Sequence, residues 1–192
     1  MEGGISTKKK VITICVAVVA FLIALGITVY PLISTWYNNR HQSQIHTQYQ
    51  EKVEQVDNTA LQEAKALAVA YNQTILPGAQ DEDSFSNEAL LNAVEQYSEL
   101  LNLAGDGIMG YVEIPTIGVN LPIYHGTNNS TLERGVGHLL GSSLPVGGES
   151  THSVLTAHSG MASQKLFSDL DRMKIGDVFY LDVLGERLAY QV

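Results

Sequence analysis

Nineteen consecutive residues, Val11 to Val29, carry no charge. As an α-helix rising ~1.5 Å per residue they reach ~29 Å, the thickness of a bilayer's hydrocarbon core. Lys8, Lys9 and Lys10 precede the run and the next basic residue is Arg40. Positive charge gathers on the cytoplasmic side of membrane spans, so the pattern places the N-terminus in the cytoplasm and the rest of the chain outside. Tyr30, Trp36 and Tyr37 suit the outer interfacial belt. A cleaved signal peptide is the alternative, because its apolar core can approach this length. Pro31-Leu32-Ile33-Ser34-Thr35, however, offers no clear small-x-small cleavage site. The favoured reading is an uncleaved, single-span anchor.

The 192 residues of the whole chain, at 45% hydrophobic content, suffice for one modest domain with an accessory segment, not two full cores. The net charge of −9 divides into +3 over residues 1–40, −9 over 41–106 and −3 over 107–192. No segment offers the basic surface that nucleic acid requires. The sole cysteine, Cys15, lies in the apolar run, so disulfides do not staple the exported part.

Apolar residues recur at helical spacing from Ser43 to Tyr71 (Ile45, Tyr49, Val53, Val56, Leu61, Ala64, Ala68), which predicts one long amphipathic helix or two. Leu76-Pro77-Gly78 stops it, and residues 79–86 form an acidic surface loop. Ser86 or Asn87 can cap a second helix over Glu88–Leu101. After Asn102–Gly107 the apolar period changes from 3.6 to 2 and the chain turns rich in Val, Ile, Tyr and Thr. The expected organisation is therefore 1–40 tail, anchor and interfacial segment, 41–107 helical region, and 108–192 β domain.

Within the β domain, Tyr111–Ile114 and Val119–Tyr124 read as short strands, their prolines favouring an edge or bulge. Thr131–His138 reads as a helical turn then a short strand, and His152–Ala157 as the most buried strand. Lys165–Met173 reads as a short helix. Val178–Leu184 and Arg187–Val192 pair as a hairpin through Gly185-Glu186. No regular βαβ alternation or internal repeat occurs.

His158 follows the strand-like run Ser153–Ala157, a position where a rigid frame holds a side chain at a rim. Imidazole exchanges a proton near neutral pH, which makes His158 the leading candidate acid or base. Cys15 is a poor partner, since a thiolate needs water or a counter-charge that hydrocarbon does not provide. His152 and His158 share a strand face, but six extended residues span ~20 Å, too far for two ligands of one metal. His125 and His138 read as structural, and His41 and His46 fall on the juxtamembrane helix. No cofactor or metal site is expected, and neither a nucleophile elbow nor a His-Glu-x-x-His pattern is present.

Several motifs in order carry a resemblance that runs from about Tyr71 to Val192. They are Ile108-Met109-Gly110-Tyr111-Val112-Glu113-Ile114-Pro115, Leu121-Pro122-Ile123-Tyr124-His125-Gly126, Gly137-His138, and Ser142-Ser143-Leu144-Pro145-Val146-Gly147-Gly148. Thr151-His152-Ser153-Val154, Ala157-His158-Ser159-Gly160, Lys165–Leu170 and Gly176-Asp177 continue the series. The chain resembles the sortases, membrane-anchored cysteine transpeptidases of Gram-positive bacteria, and among them class C, the pilin-polymerising group.

That resemblance implies a mainly β fold with N-terminal helices: a partial sortase-type eight-stranded β-barrel preceded by a transmembrane helix and a helical lid region. It also implies a cysteine that attacks the Thr-Gly carbonyl of a Leu-Pro-x-Thr-Gly sorting signal, a thioester resolved by a pilin lysine, His158 as proton donor, and an arginine on the oxyanion. The implied partners are pilin or surface-protein sorting signals. Asp83-Ser84-Phe85 stands where class C lids read Asp-Pro-aromatic, so Asp83 and Phe85 are lid candidates lacking the proline that would fix the turn.

Arg187 precedes the position at which a cysteine strand would come and reads as a surface residue. The nucleophilic cysteine and the arginine are then expected beyond Val192, with this segment inactive by itself. The competing expectation is a non-enzymatic, membrane-anchored fragment or pseudoenzyme that at most binds a partner.

Overall fold

The computed structural model describes residues 3–74, 96–160 and 166–192. Two helices lead into a six-stranded, curled half-barrel sheet. Helix α1 (Gly3–Gln55) runs unbroken through Pro31, and its stretch Lys9–Asn38 is long and apolar enough to cross a membrane, with none of it covered by protein. Thr13 and Thr28 each donate a hydroxyl hydrogen bond to the carbonyl four residues back, Lys9 at 3.0 Å and Ala24 at 2.8 Å. A polar side chain is thereby satisfied without leaving the apolar helix.

The periodicity over Ser43–Tyr71 resolves into two helices, the end of α1 and helix α2 (Asn58–Thr74). The break falls at Val56-Asp57. Asp57 is the cap of α2: its Oδ2 accepts the Thr59 amide at 3.2 Å and its carbonyl accepts the Leu61 amide. A short acid satisfies orphan helix amides better than continuing the helix would. Of the second helix expected over Glu88–Leu101, the described part is helical at residues 96–99.

Strand β1 (Ile108–Ile114) is the centre of the sheet. It pairs antiparallel with β2 (Val119–His125) and with β5 (Val178–Val183). Strand β3 (Val136–His138) runs parallel to β2 and antiparallel to β4 (Leu155–Thr156), while β6 (Glu186–Gln191) pairs antiparallel with β5. The order is β4-β3-β2-β1-β5-β6. Between β2 and β3 the expected helical turn appears as α3 (Asn129–Leu132), capped by Asn128, whose side chain accepts the Thr131 amide at 3.0 Å.

Gly110 permits the β1–β5 approach, since a Cβ there would meet the Asp182 carbonyl oxygen at 2.6 Å and Val183 Cγ2 at 2.7 Å. Pro122 lies inside a strand flanked on both sides, but the β2–β3 ladder starts only at Ile123. The missing N–H therefore leaves no gap in the ladder.

Three expectations are corrected. His152–Ala157 is not a buried strand: only Leu155–Thr156 is extended and paired, and it is half-exposed because β4 is an edge with a neighbour on one side. Lys165–Met173 is not a helix over its described part. Leu166 takes φ +37°, incompatible with an α-helix, and a single 3₁₀ turn covers Leu170–Arg172. The β5–β6 turn is Leu184-Gly185 rather than Gly185-Glu186. Both residues have positive φ, 52° and 78°, the pattern of a two-residue turn whose twist matches the strands.

Two apolar clusters hold the elements together. The larger fills the concave side of the sheet with Met109, Val112, Leu121, Ile123, Val136, Leu144, Leu181 and Leu184, closed by Ala68 of α2 and by Tyr97. The smaller packs Tyr49 and Val53 of α1 on Ile108, Tyr111 and Tyr124. At ~1.5–3 kcal/mol per fully buried large side chain, these contacts outweigh the exposed ion pairs Lys52–Asp106 and Arg172–Asp169. The helix that carries the apolar span is thereby fixed to the sheet.

Candidate active site

His158 lies two residues past the end of β4, half-buried, with its carbonyl accepting the Phe167 amide at 3.1 Å. The Gly160 amide donates to Ser168 Oγ at 2.9 Å. These two bonds fold the segment from Phe167 back against the β4 exit. Beside them runs an open groove of about 520 Å³ lined by Leu155, Thr156, Ala157 and Ser159 from the β4 side and Phe167, Ser168, Leu170 and Asp171 from the returning segment. His158 sits in the chain between two lining residues, Ala157 and Ser159. Both walls of the groove mix apolar and polar side chains, a surface suited to an extended peptide.

The strand end owes its position to serine hydroxyls rather than to a regular ladder. Ser143 donates its amide to the His152 carbonyl at 2.9 Å and its Oγ accepts the His152 amide at 3.1 Å. Ser142 Oγ accepts the Val154 amide at 3.1 Å, and the Leu139 amide donates to the Val154 carbonyl at 3.0 Å. Beneath this loop Asn72 of α2 brackets Leu144: its Nδ2 donates to the Leu144 carbonyl at 3.1 Å and its Oδ1 accepts the Leu144 amide at 2.6 Å. In the sequence Asn72 shows only a chance glycosylation pattern, and Ser142 and Ser143 look like loop polars. The signal available was their grouping with Gly141, Gly147 and Gly148, which marks an irregular, tightly folded segment.

The remaining candidates fall elsewhere. His138 is fully buried, and burial pushes its pKa down to about 4. His125 faces two carbonyls, Leu100 at 2.7 Å from Nε2 and Gly107 at 3.2 Å from Nδ1. His152 is exposed, and no cluster of three His, Cys, Asp or Glu side chains fit to hold a metal occurs among the described residues.

His46 of α1 packs against Tyr111 with ring centroids 4.5 Å apart and planes tilted by 55°, and burial lowers its pKa. Arg187 is half-exposed and bound to Asp182 through two bonds of 2.7 and 2.8 Å and to Glu113 at 2.7 Å, over the Tyr180 ring. Its guanidinium is already committed to acids on β5 and β1, and β6 is at the other end of the strand order from β4. Cys15 is on the exposed apolar part of α1. Asp83 and Phe85 lie outside the described residues.

A Sortase domain model matches residues 112–192. Among solved structures, sortase C1 from Streptococcus agalactiae is 36% identical with a TM-score of 0.68, over 78% of this chain and 75% of that one. The chain belongs to the sortase family. Streptococcus pneumoniae sortase C is 42% identical with a TM-score of 0.64, over 78% of this chain and 73% of that one. A sortase A from Streptococcus agalactiae serotype III (strain NEM316) is 29% identical over 112 residues. The chain spans 42% of that curated relative's length. Within a sortase, the groove beside β4 and the motif Ala157-His158-Ser159-Gly160 form one feature: a histidine at a strand exit, flanked by a peptide-sized surface.

Proposed function

We propose that the protein containing these residues is a class C sortase, anchored by α1 with its barrel outside the cell, that cleaves Leu-Pro-x-Thr-Gly-type sorting signals and joins pilin subunits. The observation that carries this is His158 at the exit of β4 beside the groove, in a chain whose solved structural neighbours include sortases C. A sorting signal lies extended in the groove, its apolar residues against Leu155, Ala157 and Phe167. A cysteine thiolate attacks the Thr-Gly carbonyl carbon, the C–N bond breaks, and His158 gives its proton to the departing amine, leaving a thioester. A pilin lysine amine then attacks the thioester, forming an amide and releasing the thiol. Because Cys15 is in the apolar span and Arg187 is held by Asp182 and Glu113, we assign the thiolate and the oxyanion-binding arginine to residues outside these 192.

The test uses protein expressed from its full reading frame, incubated with a Leu-Pro-x-Thr-Gly peptide and an amine and followed by mass spectrometry. Cleavage at Thr-Gly with transfer to the amine is expected. His158→Ala lowers the rate by ~10²–10⁴, the usual contribution of a general acid. Wild-type turnover in that variant removes His158 from the mechanism. The 192 residues by themselves should give no cleavage, and turnover from them would mean that the nucleophile is misassigned. A chain that binds the peptide without cleaving it from the full reading frame supports the non-enzymatic reading, for which the position of Cys15 is the specific observation.

A further inference from the structure

Among the described residues, His138 is the histidine with no exposed surface, and the acyl-transfer steps above do not use it. Each of its ring nitrogens has a partner. Nε2 lies 2.8 Å from the Ser143 carbonyl oxygen and 3.2 Å from Ser142 Oγ, and Nδ1 lies 2.9 Å from the Tyr97 hydroxyl. A carbonyl can only accept, so Nε2 carries the proton and Nδ1 is an acceptor; the single Tyr97 hydroxyl proton lies between Nδ1 and the His138 carbonyl, each 2.9 Å away. That hydroxyl in turn accepts the Gly126 amide at 3.0 Å. The neutral ring gives each nitrogen a complementary neighbour, and burial keeps it neutral, with a pKa pushed down to about 4.

The partners of this ring are the residues that hold the strand leading to His158. Ser142 Oγ donates to the Leu139 carbonyl at 2.7 Å and accepts the Val154 amide, and Ser143 brackets His152 through both backbone bonds. Among the described residues, the backbone from His152 to Val154 is held by those serines and Leu139 rather than by a sheet neighbour. Six residues after His152 comes His158. A two-residue strand cannot hold that exit in register by its ladder alone, since β4 pairs only at Leu155 and Thr156.

We propose that His138, Ser142 and Ser143 are positioning residues for His158: the buried ring fixes the two serines, and their hydroxyls set the path of residues 152–154 and hence the place of the imidazole at the groove. The proposal rests on His158 being the acid of the reaction proposed above. A shift of about 1 Å at a reacting group can cost up to ~10² in rate, so a hydroxyl that does no chemistry can still be needed for turnover. Support of this kind is how sites on short elements keep their geometry.

The experiment uses full-reading-frame protein in detergent, with Ser142→Ala and Ser143→Ala beside Ser142→Thr and Ser143→Thr, which keep the hydroxyl. Three quantities are read: kcat and KM for the sorting peptide, melting temperature, and the ¹⁵N imidazole signals of His158. The expected result for the alanine variants is a loss of about tenfold in kcat with a melting temperature near wild type. Moved His158 signals should accompany that loss, and at least one threonine variant should recover. Unchanged kcat in both alanine variants overturns the proposal, as does a loss that follows melting temperature while the His158 signals stay in place. If wild type does not cleave, or His158→Ala keeps full turnover, the function proposed above fails. The His158 signals then decide the positioning alone, movement in the alanine variants supporting it and no movement overturning it.

Discussion

The amide of Leu184, at the tip of the β5–β6 turn, donates to the hydroxyl of Tyr49 on α1 at 3.3 Å, across 135 residues of chain. Tyr49 also donates to the Met109 carbonyl at 3.4 Å, and burial pushes its pKa up to about 12. One phenol thus links α1, the helix that carries the apolar span, to the β5–β6 turn and to β1. Tyr49→Phe keeps the ring against Tyr111 but leaves the buried Leu184 amide without an acceptor, a loss of ~1–3 kcal/mol. Urea denaturation of the detergent-solubilised protein checks this. A midpoint equal to wild type would show that the hydroxyl carries no stability.

Leu184 itself sits at φ 52° while only 5% exposed. Asparagine suits that backbone better, by ~1 kcal/mol or more. Removing the buried leucine costs ~2–5 kcal/mol through lost contacts and the cavity left behind. Lost packing exceeds the relief of backbone strain, so Leu184→Asn should destabilise by about 1–3 kcal/mol, measured as a lowered denaturation midpoint. A stabilised variant would mean that turn strain outweighs packing here.

The long apolar N-terminal helix, the change from helical to strand periodicity near Ile108 and the β5–β6 hairpin were legible because each is a local pattern of many residues. The reading of Lys165–Met173 as a helix failed because alternation over nine residues says nothing of Leu166's backbone, which follows from packing that side chain into the core. His152–Ala157 misled in a related way. Its composition is that of a buried strand, yet its outer partners are the hydroxyls of Ser142 and Ser143, and no period in the sequence announces a serine standing in for a ladder. The place of His158 just past a strand end could be read locally, whereas the bracket of Asn72 on Leu144 spans 72 residues and has no sequence signature.

That bracket makes a second test of the loop. Leu144 is 1% exposed, so Asn72→Ala leaves its buried amide unpaired, while its carbonyl keeps the Val146 amide at 2.8 Å, a destabilisation of ~1–3 kcal/mol. Asn72→Asp keeps the acceptor for the Leu144 amide but sets a carboxylate oxygen against the Leu144 carbonyl. It should therefore fall below wild type as well, most at neutral pH where the acid is charged. Thermal unfolding of the two variants beside wild type measures both effects. An Asn72→Ala midpoint within a degree of wild type would show that α2 does not hold the loop through this side chain.

The buried His138 gives the fold an acid-side limit. Its folded value of about 4 lies below the ~6.5 of an unfolded histidine. Between those values the unfolded chain binds a proton that the folded chain refuses. The contribution is therefore fully present above pH ~6.5 and is lost as pH falls toward 4, amounting to about 3 kcal/mol across the window. His46, whose pKa burial also lowers, adds with the same sign. Replacing His138 by glutamine keeps a donor and an acceptor but removes the titration, so the decline in urea midpoint between pH 7 and pH 4.5 should become shallower, whatever the variant's stability at pH 7. An unchanged slope in His138→Gln would place the acid sensitivity in other groups.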